Sequence, residues 1–336
     1  MEERILGSLL ASAVGDAMGA ATELRTKELI RQRFGGPVQD IIPPPDDTFA
    51  RGAAAGSVTD DFSLIYHTAM AIADNGGVID DATAQKALLS WSEDHQFYDK
   101  YVGPTTRAAV DKIRGVEKKN PYAFICCDNA KASNGSAMKI SPAGLFNPGN
   151  MDAAIDGAIT ICRPTHNNDL SISGACAIAA AVSHALEPKS DLFSIVQAGL
   201  YGAAEGLKRA KGTCNVLAGP SVEKRIRLAV QIALTAGDMD AVTTELADVV
   251  GSGLHISEAV PCAFGILIAS KGNTMDGIIG AVNIGSDTDT IATMTGAILG
   301  AHNGTAGIPQ RYLPLIDQVN GFDIAALARR VAELAR

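Results

Sequence analysis

Asp287 and Asp289 stand two positions apart in "NIGSDTDTIATM", which begins at Asn283. They alternate with Thr288 and Thr290, between a Gly-Ser turn and an apolar run that reads as a helix. One Asp suffices to cap a helix N-terminus, and each carboxylate there gains only a fraction of a kcal/mol. Residues i and i+2 of a formed helix point about 200° apart. With Asp287 in the turn and Asp289 in the first helical turn, the two carboxylates can instead converge. The pattern occurs a second time: Gly56-Ser57-Val58-Thr59-Asp60-Asp61 also leads into an apolar helix. If both starts face one cavity, they bring four carboxylates and two Thr hydroxyls together. Left alone, those charges would raise one another's pKa values or destabilise the fold. Two divalent cations would neutralise them. Six hard oxygen ligands without His or Cys point to Mg²⁺ or Mn²⁺ rather than zinc.

The elements that must position these residues read almost wholly as helices. "RILGSLLASAVGDAMGAATEL" opens with apolar residues at helical spacing, and "DDFSLIYHTAMAIADNGG" runs until Gly76-Gly77 stops it. Further helical runs fall at 80–94, 104–117, 151–162, 169–186, 191–211, 222–236, 240–250, 256–270, 274–282, 288–302 and 323–335. A strand signal is confined to "QDIIP" near 39. Loops are expected at 34–56, 117–135 and 161–169, and long loops in a helical fold are usually functional. No linker or composition shift divides the 336 residues, so the fold class is all-α and the chain reads as one domain, 1–336.

Composition narrows the rest. The chain is 47% hydrophobic but only 5% aromatic, so its core is built of small and aliphatic residues and its helices approach closely. A net charge of -9 excludes the basic footprint of a nucleic-acid binder. The six cysteines, 126 and 127 adjacent and the others scattered, match no disulfide or zinc spacing and read as reduced buried thiols of a cytoplasmic protein. "ILGSLLASAVG" is interrupted by Asp16 soon after and preceded by "MEER", so it reads as a buried helix rather than a signal sequence. No apolar run reaches the roughly 18 residues of a membrane span.

The two acidic motifs, in this order and spacing, resemble those of the ADP-ribosylglycohydrolases. That family includes the enzyme that removes ADP-ribose from dinitrogenase reductase and the ADP-ribosyl-arginine and ADP-ribosyl-serine hydrolases. The similarity runs from "ILGSLLASAVGDAMGAATEL" to "GSDTDTIATMTGAILGAHNG", and is nearest to the compact bacterial members. It implies an orthogonal α-helical bundle holding a binuclear Mg²⁺ or Mn²⁺ centre. The implied ligands are Thr59, Asp60 and Asp61 from the first motif and Asp287, Asp289 and Thr290 from the second. "GDAMGAATEL" is similar to the family's N-terminal segment, which makes Glu23 the implied acid/base or substrate-positioning carboxylate and gives Asp16 a supporting role. "SNGSAMKISPAGLF" resembles the family's phosphate-side segment and implicates Asn134, Gly135, Ser136 and Met138, with Lys139 where Arg is usual. "RPTHNND" resembles its Thr-His loop, with His166 against substrate rather than metal, and "YVGPTTRAAV" offers Gly103 for a close backbone approach. Phe62 departs from the pattern, standing where a small hydroxyl residue is usual, and Ser286 stands where Gly is common.

Hydrolysis of a ribosyl bond passes through an oxocarbenium-like state. Metals can hold the ribose hydroxyls and orient the attacking water, while Glu23 or a metal-bound Asp60 or Asp61 assists proton transfer. The expected activity is therefore metal-dependent cleavage of an ADP-ribosylated protein side chain or a small ADP-ribose conjugate. Rival readings are a hydrolase of small N-ribosides or nucleosides, a two-metal phosphohydrolase, and a non-catalytic ADP-ribose-binding or crystallin-like relative.

Overall fold

Helix α1 (Glu2–Gly19) carries Leu, Ala, Gly and Ser on every face, and every residue from Gly7 to Gly19 is buried. A helix apolar all round belongs at the centre of a bundle. In the computed structural model, which describes residues 1–116, 125 and 127–335, it lies there. The other helices follow in order: α2 (Lys27–Phe34), α3 (Asp60–Asp74), α4 (Asp81–Glu93), α5 (His95–Tyr101), α6 (Pro104–Ile113), α7 (Ser141–Leu145), α8 (Met151–Cys162) and α9 (Asp169–Ala185). Then come α10 (Leu192–Ala210), α11 (Val222–Thr235), α12 (Met239–Glu245), α13 (Ile256–Ala269), α14 (Thr274–Val282), α15 (Thr288–Asn303), α16 (Tyr312–Asn320) and α17 (Ile324–Leu334). Among the described residues there are no strands, only two isolated bridges, Ser133 with His255 and Asn168 with Asn215. The fold is all-α, as the periodicity indicates.

α15 is the second central helix, buried without a break from Thr288 to Ala301. It packs along α1 and also touches α9, α13 and α14. Small residues permit the approach. A Cβ added to Gly15 would lie 2.4 Å from the carbonyl oxygen of Ala292, and one added to Gly19 would lie 2.3 Å from Asp289 Cα. The low aromatic content therefore has a structural counterpart in two backbones that nearly touch. Outer helices such as α10, α11 and α17 present one apolar stripe inward.

Four helices carry no periodic signal. α2 buries only Lys27 and Ile30, so it shows no apolar stripe. α5 and α7 are short, and α16 contains Pro314. The run expected over 240–250 is α12 followed by a π-helical turn, Leu246–Val250. "QDIIP" is not a strand: residues 39–43 pass irregularly over the surface. The far end of the run expected at 104–117, the residues 117–124 of the loop after it, and Cys126 lie outside the described residues. Cys162, Cys176 and Cys262 are buried as expected, Cys214 is half-buried, and Cys127 is exposed. No helix among the described residues is long and apolar enough to cross a membrane.

Candidate functional site

The first acidic motif is held in place from two sides. Asp16, fully buried on α1, accepts hydrogen bonds from the backbone N–H groups of Thr59, at 3.0 and 3.1 Å, and Phe62, at 2.8 Å. Thr59 is the N-cap of α3, its hydroxyl oxygen accepting from the Asp61 N–H at 3.2 Å. From the other side, Asn320 on α16 donates to the Gly56 carbonyl and accepts from the Val58 N–H. With its start closed by Asp16 and Thr59, α3 does not need Asp60 or Asp61 as a cap. Ser63 bonds back to the Thr59 carbonyl and takes the indole N–H of Trp91. Phe62 packs edge-on against Phe322, 5.8 Å between centroids, and Phe322 also stacks on Tyr66 and Phe97. The Phe62 ring is thus accommodated in an aromatic cluster with Phe322, Tyr66 and Phe97.

The second motif is tied to the N-terminal segment by backbone. The Leu24 N–H donates to the Ser286 carbonyl and the Ser286 N–H donates to the Arg25 carbonyl, both at 2.8 Å. Leu24 and Ser286 both adopt left-handed backbone, φ 61 and 64, which explains why glycine suits position 286. Gly285 lies so close to Arg25 and Lys27 that a Cβ there would meet the Arg25 carbonyl at 3.0 Å. This pairing turns the chain off α1 at Gly19 and aims Glu23 back over the start of α15. Asp287 occupies the N-cap position of α15, yet its carboxylate makes no capping bond. It accepts instead from the Asn134 side-chain amide. Thr288 is absorbed structurally, donating to the Gly19 carbonyl at 3.0 Å and accepting from Thr22 at 2.9 Å.

These pairings gather the carboxylates. Oxygens of Glu23, Asp287 and Asp289 lie within 4.8 Å of one another, and all three residues are buried. Asp60 and Asp61 lie outside that 4.8 Å group but close enough for their charges to act on it, Asp60 on Glu23 and Asp61 on Asp289, which relates the two motifs. Buried side-chain atoms that find no hydrogen-bond partner among the described residues include Asp61 Oδ2 and Asp289 Oδ1. An unpaired buried carboxylate oxygen is costly, and a cation would relieve it. The donor set is all oxygen and anionic, which fits a hard divalent cation. Burial, with neighbouring charge added, drives the acidities the same way. Asp60 is pushed up to about 7 by desolvation, then by Asp16 and Asp287. Glu23 is pushed up to about 8 by desolvation, then by Asp287, Asp60 and Asp16, with Arg25 opposing. Asp16 rises to about 6 through burial, restrained by its bonds to Phe62 and Thr59. Asp61 and Asp289 stand well above the ordinary carboxylate range, and Asp287 above it, for the same first reason.

The substrate-side candidates divide. Asn134 touches the centre directly through Asp287, and its N–H donates to the Leu254 carbonyl. Gly135 lies under the His166 ring, 3.1 Å from where a Cβ would sit. Ser136 points the other way, donating to the Ser171 carbonyl at 3.1 Å, and Met138 is buried in the core. Lys139 is buried and donates to the Thr165 hydroxyl at 3.0 Å. Burial pulls it down to about 8 against the opposing influence of Cys162 and Asp60. His166 is buried between the hydroxyls of Ser133 and Thr165, and burial with the Lys139 charge holds its imidazole neutral. Gly103 is half-exposed at the N-cap of α6 with open space around its Cα. Sequence reasoning missed Tyr101. Burial first, then the charges of Asp16, Asp60, Asp289 and Glu23, raise its phenol, which places it near the acidic groups. No periodicity marks α5, so only the fold could bring it there. The irregular 34–56 segment borders the same region, bonded through Asp47 to Arg25, Val38 to Asn283, and the Ala50 and Arg51 carbonyls to Lys100.

An all-α bundle whose two central helices frame an acidic pocket defines a class of helical hydrolase. The chain belongs to the ADP-ribosylglycohydrolase family, whose family model, described as ADP-ribosylglycohydrolase, matches residues 1–336. It is a hydrolase acting on glycosyl bonds. The uncharacterized protein YegU of Escherichia coli K12 is 31% identical over 98% of this chain and 97% of its own length. ADP-ribosylarginine hydrolase Tri1 of Pseudomonas putida is 25% identical over 93% of this chain and 73% of its own. A solved structure described as an ADP-ribosylglycohydrolase-related protein complex shares the fold, with a TM-score of 0.68 at 22% identity, covering 100% of this chain and 99% of that one.

Proposed function

We propose that this chain cleaves the ribosyl bond of an ADP-ribosylated protein side chain or a small ADP-ribose conjugate, using two Mg²⁺ or Mn²⁺ ions. The convergence of Glu23, Asp287 and Asp289 on one buried pocket carries the reading, supported by the unpartnered oxygens of Asp61 and Asp289. Thr59, Asp60, Asp61, Asp287, Asp289 and Thr290 would hold the ions. When bound, the cations supply charge for the ribose hydroxyls and for the attacking water.

The chain's own groups do the remaining work. Glu23 stands beside Asp287 and Asp289 at the edge of the cluster, which suits it to pass a proton to a leaving oxygen or nitrogen or to take one from the attacking water. Asn134 fixes the rotamer of Asp287. Tyr101 lies close enough for the acidic charges to raise its phenol, which keeps that hydroxyl protonated as a donor near the pocket. Gly135 and His166 pack together beside Asn134, on the side where the sugar phosphate would enter. The name of the Tri1 relative supports ADP-ribosylarginine as the first substrate to try.

The decisive measurement is a product assay. The protein with Mg²⁺ or Mn²⁺ is offered ADP-ribosyl-arginine, ADP-ribosyl-serine, O-acetyl-ADP-ribose and simple nucleosides, beside Asp60→Ala and Asp289→Ala. Free ADP-ribose, lost in both variants, is expected. Free phosphate as product, or full activity in either variant, overturns the proposal.

A further inference from the structure

Glu23 lies in a turn whose peptide groups are held on both sides of its Cα. Its N–H donates to the Gly19 carbonyl at 3.0 Å, and its carbonyl accepts from Arg25 Nη1 at 3.1 Å. The same Nη1 donates to the Ala21 carbonyl at 3.2 Å, and Nη2 pairs with Asp47. The Arg25 side chain is 9% exposed and that of Asp47 66%, so the guanidinium is buried against the turn while its counter-charge stands at the surface. No backbone N–H among the described residues serves either carbonyl.

α1 ends at Gly19 with no basic residue in its last turn, so the buried carbonyls that follow need a donor from elsewhere. A guanidinium meets that need in one plane. Nη1 has two hydrogens for two carbonyls, and Nη2 faces the carboxylate. Each bond has one direction, since a guanidinium only donates and a carbonyl only accepts. The clasp also has strain to hold. Leu24 takes a left-handed φ of 61°, which a residue with a Cβ adopts at a cost. The Leu24 N–H donates to the Ser286 carbonyl at 2.8 Å. The peptide joining Glu23 to Leu24 is therefore gripped at both ends, its N–H by the second acidic motif and its carbonyl by Arg25. Without the second grip the peptide plane is free to rotate and carry the Glu23 Cα with it.

We propose that Arg25 is a positioning residue for the reaction: its guanidinium locks the peptide joining Glu23 to Leu24 and so keeps the Glu23 carboxylate within reach of the bond that breaks. The proposal rests on the functional reading above, which gives Glu23 the proton transfer. The bonds of Arg25 go to two carbonyls of its own turn and to Asp47, so it acts on the substrate only through Glu23. A catalytic group displaced by about 1 Å can lose about 100-fold in rate.

Kinetics on the best substrate of the panel above test it. Arg25→Met keeps most of the side chain's length and removes its donors. Its kcat should fall about 100-fold, with KM and Mn²⁺ affinity within about twofold of wild type, because substrate and metal contacts are untouched. Arg25→Lys, which can reach one carbonyl, should recover part of the loss. Asp47→Ala should lose less than Arg25→Met, because both carbonyl bonds remain. The double variant Glu23→Gln with Arg25→Met should be no slower than Glu23→Gln alone. An unchanged kcat in Arg25→Met, a loss carried by KM, or additive losses in the double variant overturns the proposal. Amide hydrogen exchange tests the clasp without any substrate. The Leu24 N–H should lose about tenfold in protection in Arg25→Met, while the amides in the middle of α1 keep theirs. Unchanged protection at Leu24, or an equal loss throughout α1, overturns the clasp. If the wild-type protein cleaves nothing in the panel, the functional reading fails, while the exchange still decides the clasp.

Discussion

Asp16 reaches from α1 to accept the Phe62 N–H at 2.8 Å, so a side chain near the start of the sequence closes the helix that carries the first acidic motif. It accepts the Thr59 N–H as well. Asp16→Ala strands two buried donors. The expected loss is about 2–3 kcal/mol of stability in denaturant unfolding, while Asp16→Asn, which keeps one acceptor oxygen, should lose less. Equal stability of all three proteins would remove Asp16 from the architecture of the site.

Asn134 supports the centre from outside. Removing an outer partner of a metal ligand typically costs about 10–100-fold in affinity. Asn134→Ala should weaken Mn²⁺ binding within that range in a calorimetric titration. An unchanged titration would mean that Asp287 is not a ligand.

The carboxylate pKa values set a pH dependence for the protein stripped of metal by chelator. Glu23 rises to about 8 and Asp60 to about 7 in the fold, above their ordinary values. The folded state therefore binds more protons than the unfolded chain between those limits. Its stability is fully present at low pH and falls as pH climbs through 7 and 8. The melting temperature in chelator should be higher at pH 6 than at pH 8.5, and saturating Mg²⁺ should narrow or reverse the difference. A stripped protein that gains stability over this range would contradict the clustering.

Gly19 has no room for a side chain, since a Cβ would sit 2.3 Å from Asp289 Cα. Gly19→Ala must push α1 off α15 and displace Asp289. Overpacking of this kind costs about 1–3 kcal/mol, and metal affinity should fall with stability. Thermal melts with and without Mn²⁺ read both effects.

Phe62 separates packing from chemistry. Its ring is fully buried against Phe322. Phe62→Ala should lose roughly 3–5 kcal/mol of stability. Below its melting point it should retain Mn²⁺ affinity within about twofold, because the ring contributes no ligand atom. A metal affinity lost in the still-folded variant would show that the aromatic cluster sets the ligand geometry.

Both helix starts were legible because a Gly-Ser turn before Thr and Asp is a local signal, and the central helices because their small apolar residues repeat at helical spacing. Glu23 beside Asp287 and Asp289 was legible only through family resemblance, since no local rule joins positions so far apart in sequence. Tyr101 begins the segment "YVGPTTRAAV", yet only Gly103 stands out there, because α5 is short and the role of the phenol depends on what lies opposite. Ser136 shows the opposite limit: its motif placed it at the site, while its hydroxyl turns to α9. The bond between Asn320 and the first motif was hidden for a similar reason, because α16 is short and nothing local marks a polar Asn at its end as buried.

Because Gly19 rests against Asp289, the pocket cannot close during synthesis until α15 has cleared the ribosome. α1 emerges well before α15, with a surface of small apolar residues that α15 later covers. Most of the chain must follow before its partner arrives, and pairings this distant are slow to form. A product truncated before residue 287 retains one set of acidic side chains without the other, so the acidic pocket is incomplete until residues 287–290 have been made.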